Sequence, residues 1–169
     1  PHSRNSLPPR RPARMPDQPL PEPLDALAAA ADEAPARKRP KPGERRVQIL
    51  QTLAAMLEQP GAERITTAAL AARLDVSEAA LYRHFASKAQ MFEGLIEFIE
   101  SSVFTLVNQI VERDHDPATQ LRGLLTVLLQ FGEKNPGMTR VMVGDALVFE
   151  HERLTARMNQ FFERFESQL

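Results

Sequence analysis

The chain has 169 residues, 43% hydrophobic and 25% charged, with a formal net charge of −1 at pH 7 and no cysteine. Without cysteine there are no disulfides or thiolate metal sites, which suits a reducing compartment. No apolar run approaches the roughly 18–20 residues that span a bilayer and the N-terminus lacks the apolar segment of a signal peptide, so we read a cytoplasmic chain with no membrane partner.

Charge is distributed unevenly. Residues 1–46 hold ten Lys/Arg and six Asp/Glu, a net of +4, whereas residues 47–169 hold eleven and sixteen, a net of −5. That asymmetry suggests a basic arm beside an acidic body. Eleven of the fourteen prolines fall in residues 1–42, a stretch nearly bare of aromatic residues. It cannot bury enough apolar surface to offset its ordering entropy. Disorder is expected over 1–44, with at most a nascent helix at LDALAAAADEA (24–34). Met15 is a candidate start, which would make residues 1–14 non-native.

From Arg45 onward apolar residues recur at i, i+3, i+4 and an all-α fold is predicted. RRVQILQTLAAMLEQPG (45–61) is the first helix, with Val47, Leu50, Leu53, Ala54 and Leu57 on one face and Pro60-Gly61 as its stop. TTAALAARL (66–74) is the second, with Thr66 or Thr67 as N-cap. After the tight turn LDVS comes SEAALYRHF (77–85), capped by Ser77. Ser87 to Gln90 has the form of a capping box and opens a long helix to about Val111. TQLRGLLTVLLQFGEKNPG (119–137) is the next helix and its stop. A short helical turn near 138–144 and a helix from about Asp145 to the end complete the pattern. FFERFESQL stops in mid-pattern, so the C-terminal helices are expected to be truncated.

Two short helices joined by a three- or four-residue turn form a helix-turn-helix, whose second helix enters the DNA major groove. Leu70 and Ala71 face Val76, Leu81 and Phe85 across the turn, and Asp75 occupies the bend, where Asp tolerates left-handed backbone better than most residues. The second helix spends Ala80, Leu81 and Phe85 inward. Ser77, Glu78, Ala79, Tyr82 and Arg83 remain outside, a set of small and hydrogen-bonding residues that suits a groove. Tyr82 and His84 can donate to phosphates, and Lys88 stands where a helix N-terminus also attracts anions. His84 beside Phe85 has a second reading as a packing histidine. The run RKRPKPGERR (37–46), with six positive charges and one negative, is either a solvated linker or a phosphate-tracking arm that ends in Arg45 and Arg46.

ITTAALAARLDVSEAALYRHFASKAQMFEGLI (65–96) resembles the DNA-binding segment of TetR-type regulators. The matching positions are Ile65, Thr66, Leu70, Ala71, Val76, Ser77, Leu81, Tyr82, His84, Phe85, Ser87 and Lys88. Asp75 departs from the glycine usual there. The resemblance implies a three-helix DNA-binding domain over 45–89 and a helical partner-binding and dimerisation domain over 90–169. It implies phosphate contacts from Thr66, Tyr82, His84 and Lys88, with Ser77, Glu78, Ala79 and Arg83 approaching bases, and Thr67 is counted with the DNA-binding residues.

VSEAALYRHFASKAQMFEGLIEFIES, FGEKNPGMTR and DALVFEHERL carry the resemblance further. They are similar to a subgroup of the family that acts in nucleoid occlusion in Gram-negative bacteria. Its members bind palindromic duplex DNA as homodimers and, while bound, antagonise polymers of the division protein FtsZ. The FtsZ tail would then dock on Phe98, Val127, Lys134 and Asn135. Leu106, Gln130 and Lys134 depart from the arginine, glycine and arginine expected there, and Lys in place of Arg loses bidentate pairing. From periodicity alone, Phe92, Leu95, Ile96, Ile99, Val103, Leu106, Val107 and Ile110 form the inward stripe of the long helix. Phe98 lies about 100° from Ile99 and either docks a partner or packs against the first helix or a dimer mate. The following helix, apolar nearly all round, is either central or shares a face with a partner.

Two functions stay open: a DNA-activated division inhibitor, and a transcriptional repressor released by a small molecule. The first is favoured because the 119–137 helix supplies almost no buried polar group to a ligand pocket. Catalysis is not expected: the DHD of 114–116 lies in a polar interhelical stretch without matched partners, and no glycine-rich phosphate loop appears. No cofactor, metal or small-molecule ligand is expected.

Overall fold

Helix caps set the boundaries of this fold. A computed structural model describes residues 40–41, 43–59 and 64–169. Of the arm expected over 1–44, residues 1–39 and 42 lie outside these residues, as do the nascent helix at 24–34 and the Pro60-Gly61 stop, while Glu44 at its end is already helical. Among the described residues all regular structure is helical: α1 (Glu44–Leu57), α2 (Thr67–Leu74), α3 (Glu78–Tyr82), α4 (Lys88–Arg113), α5 (Pro117–Lys134), α6 (Pro136–Met142), a 3-10 turn (Asp145–Leu147) and α7 (Glu152–Glu166). Thr66 Oγ1 accepts from Ala69 N at 3.1 Å, Ser77 Oγ from Ala80 N at 3.2 Å and Ser87 Oγ from Gln90 N at 3.2 Å. Each such cap is worth about 1 kcal/mol. The box at α4 reaches one residue further than expected: Gln90 Oε1 accepts from Ala86 N, not from Ser87 N.

One apolar core runs through all these helices. In α1 the inward arc is Ile49, Leu53 and Leu57 at four-residue spacing, with Ala54 beside it. Val47, expected on this face, is 53% exposed. It lies about 90° from the centre of that arc. In α4 the expected stripe is buried except for Leu106, which is 43% exposed; Met91 and Phe104 are buried instead.

α4 does reach the length and mean hydropathy (1.3) of a membrane-crossing helix. Its apolar residues nevertheless make the core, and its acids meet α7: Glu93 pairs with Arg153 at 2.6 Å and Glu100 with Arg157 at 3.4 Å. In this single chain α5 is not central. Only Leu124 is fully buried, and Leu121, Leu125 and Leu129 are exposed, leaving the shared-face alternative.

The helix expected from Asp145 to the end is interrupted. Gly144 (φ 87) turns the chain into the 3-10 turn, and His151, in extended backbone, starts α7 afresh with Nδ1 accepting from Arg153 N at 3.1 Å.

Close approach locks α6 onto α1. A Cβ on Gly137 would lie 2.1 Å from the Ala54 carbonyl oxygen. Arg140, held by Asp145 through two 3.1 Å contacts, donates to the Leu57 carbonyl at 2.9 Å. It thereby satisfies one of the last carbonyls of α1.

Candidate nucleic-acid interface

The helix-turn-helix assembles as its residues dictate. Asp75 takes a left-handed conformation (φ 54, ψ 49) at the end of α2. Val76 N then donates to Ala71 O at 3.0 Å and the chain turns into α3. Leu70, Ala71, Leu81 and Phe85 are buried across the turn, with Val76 half-buried. This fixes which side of a five-residue helix faces out, since so short a helix has little stability of its own.

Thr66, Ser77, Glu78, Ala79, Tyr82, Arg83 and His84 are exposed on the outer side. The exposure of His84 removes the packing alternative. The oxygens of Thr66 and Ser77 accept cap hydrogen bonds, which leaves each hydroxyl proton available to donate. Thr67 is half-buried and its Oγ1 donates to Glu78 Oε2 at 2.8 Å. It ties the start of α2 to the start of α3 and sets the direction of the Glu78 carboxylate.

Two of the cations expected on phosphates are engaged within the protein. Arg46 is exposed, yet its guanidinium lies 4.1 Å from the centre of the Phe85 ring and Nη1 donates to the His84 carbonyl. Lys88 Nζ is 2.6 Å from Glu150 Oε1. Arg45 is half-buried. Sequence reasoning missed Glu150 altogether, because a partner 62 residues away leaves no local pattern.

A second surface lies along α4 and α5, antiparallel neighbours joined by the three-residue link 114–116. A Cβ on Gly123 would lie 3.1 Å from Ile110 Cγ2, which sets the register. Twelve residues back along α4 and twelve forward along α5, about 18 Å away, stand Phe98 and Asn135. Leu106 and Val127 fall at one intermediate level. Phe98 is 49% exposed, Lys134 is exposed and Val127 half-buried. Asn135 stands at the N-cap position of α6 without capping it, and its Nδ2 instead donates back to the Phe131 carbonyl of α5 at 2.8 Å. The four residues expected to meet a partner are thus spread along the lengths of α4 and α5, up to the start of α6. Near the α4–α5 link lies an open recess of about 310 Å³ lined by Ile110, Arg113, Arg122, Gly123, Thr126 and Val127.

The acids of the DHD stretch have structural work. Arg113 contacts Asp114 at 3.0 and 3.1 Å and holds its carboxyl below the usual carboxylate range. Asp116 caps α5 through Thr119 N at 3.0 Å.

Two family models match the chain in sequence. The family of bacterial regulatory proteins of the tetR type matches residues 49–95, and the SlmA-like, tetracyclin repressor-like C-terminal domain matches residues 115–169. The nucleoid occlusion factor SlmA of Photobacterium profundum is 58% identical over 130 residues, covering 76% of this chain and 66% of its own. The factor of the same name from Salmonella paratyphi A is 55% identical over 135 residues, covering 79% and 68%. This chain thus spans about two thirds of the length of these curated relatives. Among solved structures, the ketosteroid transcriptional regulator KstR2 of Mycobacterium tuberculosis superimposes with a TM-score of 0.58 at 26% identity, over 73% of this chain and 62% of that one.

Proposed function

Because the chain belongs to the SlmA family of TetR-type proteins, we propose that it binds DNA sequence-specifically and, while bound, restrains FtsZ assembly over the chromosome. The observation that carries this reading is identity of 55–60% to SlmA proteins over 129–135 residues. The matched family models, over residues 49–95 and 115–169, include the outward face of α3 and all of α5.

On the DNA side, α3 enters the major groove with Ser77, Glu78, Ala79 and Arg83 toward base edges. Thr66, Tyr82 and His84 contact phosphates on either side. A homodimer would present two copies of α3 to a palindrome, since operator symmetry mirrors protein symmetry. On the other side, Phe98, Val127 and Lys134 receive the acidic FtsZ tail: an aromatic anchor, an apolar floor and a cation. Such a protein works in the cytoplasm, on the nucleoid.

The test sediments FtsZ polymers formed with GTP, adding the protein with and without a palindromic duplex selected from a random pool. Loss of polymer only with duplex present is the expected result. DNA binding with no effect on polymer in either arm would overturn the FtsZ half and point to a repressor instead. Failure to select any duplex would overturn the whole reading.

A further inference from the structure

We infer that Arg46 is a positioning residue for the recognition helix α3, not a phosphate contact; this rests on the DNA-binding reading above. Its place on α1 is the first observation. Arg46 stands three residues before Ile49, which is fully buried. That spacing puts it on the inward arc of α1, one turn nearer the N-terminus. Its side chain, though still exposed, runs over the end of α3.

What it meets there is specific. The guanidinium centre stacks 4.1 Å from the centre of the Phe85 ring, while Nη1 donates to the carbonyl of His84. Phe85 is itself 1% exposed. Its ring also borders Gly94 of α4, where a Cβ would lie 3.3 Å from Phe85 Cε1 and 3.1 Å from the methyls of Leu50. Phe85 is thus confined between α1 and α4, with Arg46 closing one face of the ring.

α3 has five residues. A helix that short takes its orientation from packing, not from its own hydrogen bonds. Its last turn ends with His84 N and Phe85 N both donating to Leu81 O, at 2.9 and 3.1 Å. Leu81 and Phe85 anchor that turn inward, and Tyr82, Arg83 and His84 lie between the two anchors. Fixing the His84 carbonyl and the Phe85 ring together therefore fixes the direction in which those three exposed side chains point. A planar guanidinium can stack and donate at once, which an ammonium cannot reproduce.

The two roles predict different salt behaviour. Each phosphate contact adds about one unit to the slope of log K against log salt. The experiment selects a duplex from a random pool with the unaltered chain. It then measures affinity for that duplex and a scrambled one across salt concentrations for the unaltered chain, Arg46→Met and Arg46→Lys, at a temperature where all keep full helical circular dichroism.

The expected result for Arg46→Met is a loss of about tenfold on the selected duplex, a smaller loss on the scrambled one and an unchanged slope. Arg46→Lys should remain impaired despite its charge. If Arg46→Met does not fold, Arg46→Lys carries the test. Equal losses on both duplexes with a slope lowered by about one, rescued by lysine, would make Arg46 a phosphate contact and overturn the inference. A lower melting temperature with discrimination unchanged would also overturn it, leaving a general stabilising role. If the unaltered chain selects no duplex, the DNA-binding reading fails first and takes the inference with it.

Discussion

Lys88, the first residue of α4, places its ammonium 2.6 Å from Oε1 of Glu150, in the segment just before α7, and the two side chains are only 19% and 8% exposed. The pair joins the DNA-docking unit to the helical body. If Lys88 also meets a phosphate, as the family resemblance implies, one cation faces two demands. A phosphate that takes Lys88 leaves a largely buried carboxylate without its partner, and by linkage whatever holds Glu150 in place opposes DNA.

Glu150→Gln should therefore tighten DNA binding several-fold while lowering stability by roughly 1.5–3 kcal/mol, the range for a hydrogen bond to a charged group. The control is Glu166→Gln, which removes the same charge from an exposed position near the end of α7. Fluorescence anisotropy on one duplex measures the first effect and urea unfolding the second. If Glu150→Gln matches Glu166→Gln in affinity, Lys88 has no phosphate role and the pair is structural only.

The seat of α6 on α1 gives a sharper stability test. A Cβ at Gly137 would fall 2.1 Å from a backbone oxygen of Ala54, and backbone cannot swing aside as a side chain does. Gly137→Ala should cost about 3 kcal/mol or more, the upper part of the overpacking range. The urea midpoint should fall in proportion. A loss below about 1 kcal/mol would mean that α6 does not lie against α1 as described.

Much of this arrangement is legible in the sequence because its signals are local. Thr66, Ser77 and Ser87 announce three helix starts, each through a hydroxyl three residues before the amide it accepts from. The α4 stripe from Phe92 to Ile110 is readable for the same reason. The errors share a physical origin too. Val47 and Leu106 are apolar and stand at three- or four-residue spacing from buried or half-buried residues, and spacing alone cannot say which positions packing covers. The break at 148–151 depends on a left-handed Gly144 and a histidine cap, an uncommon start signal. The engagement of Arg46 with Phe85 and of Lys88 with Glu150 joins residues 39 and 62 apart. Sequence places both cations beside a DNA-docking helix, but only packing shows what they touch.

The bend between α2 and α3 tests the backbone directly. Asp75 is the only non-glycine residue with positive φ among those described. A left-handed conformation costs a residue bearing a Cβ roughly 1–2 kcal/mol, and Asp offsets part of that through local hydrogen bonding. Replacing it by Ala keeps the cost and loses the offset, whereas Gly removes the cost. Asp75→Gly should be more stable than Asp75→Ala by about 1 kcal/mol in thermal or urea unfolding. Equal stabilities would mean that the turn adopts another conformation in solution.

Tyr82 offers the cleanest separation of affinity from specificity. It is 45% exposed and lies between the buried Leu81 and Phe85, so its ring direction is fixed by residues that do not touch DNA. Tyr82→Phe removes a single hydroxyl and leaves the packing intact. If that hydroxyl donates to a phosphate, the loss is about 1 kcal/mol, or roughly fivefold, and falls equally on selected and scrambled duplexes, because a phosphate carries no sequence information. The salt slope should hardly change, since the group lost is neutral and displaces no counterion. Tyr82→Ala should lose more, since it also removes the exposed ring from the outer face of α3. A loss confined to the selected duplex would place the hydroxyl on a base edge, and unchanged affinity would remove Tyr82 from the interface.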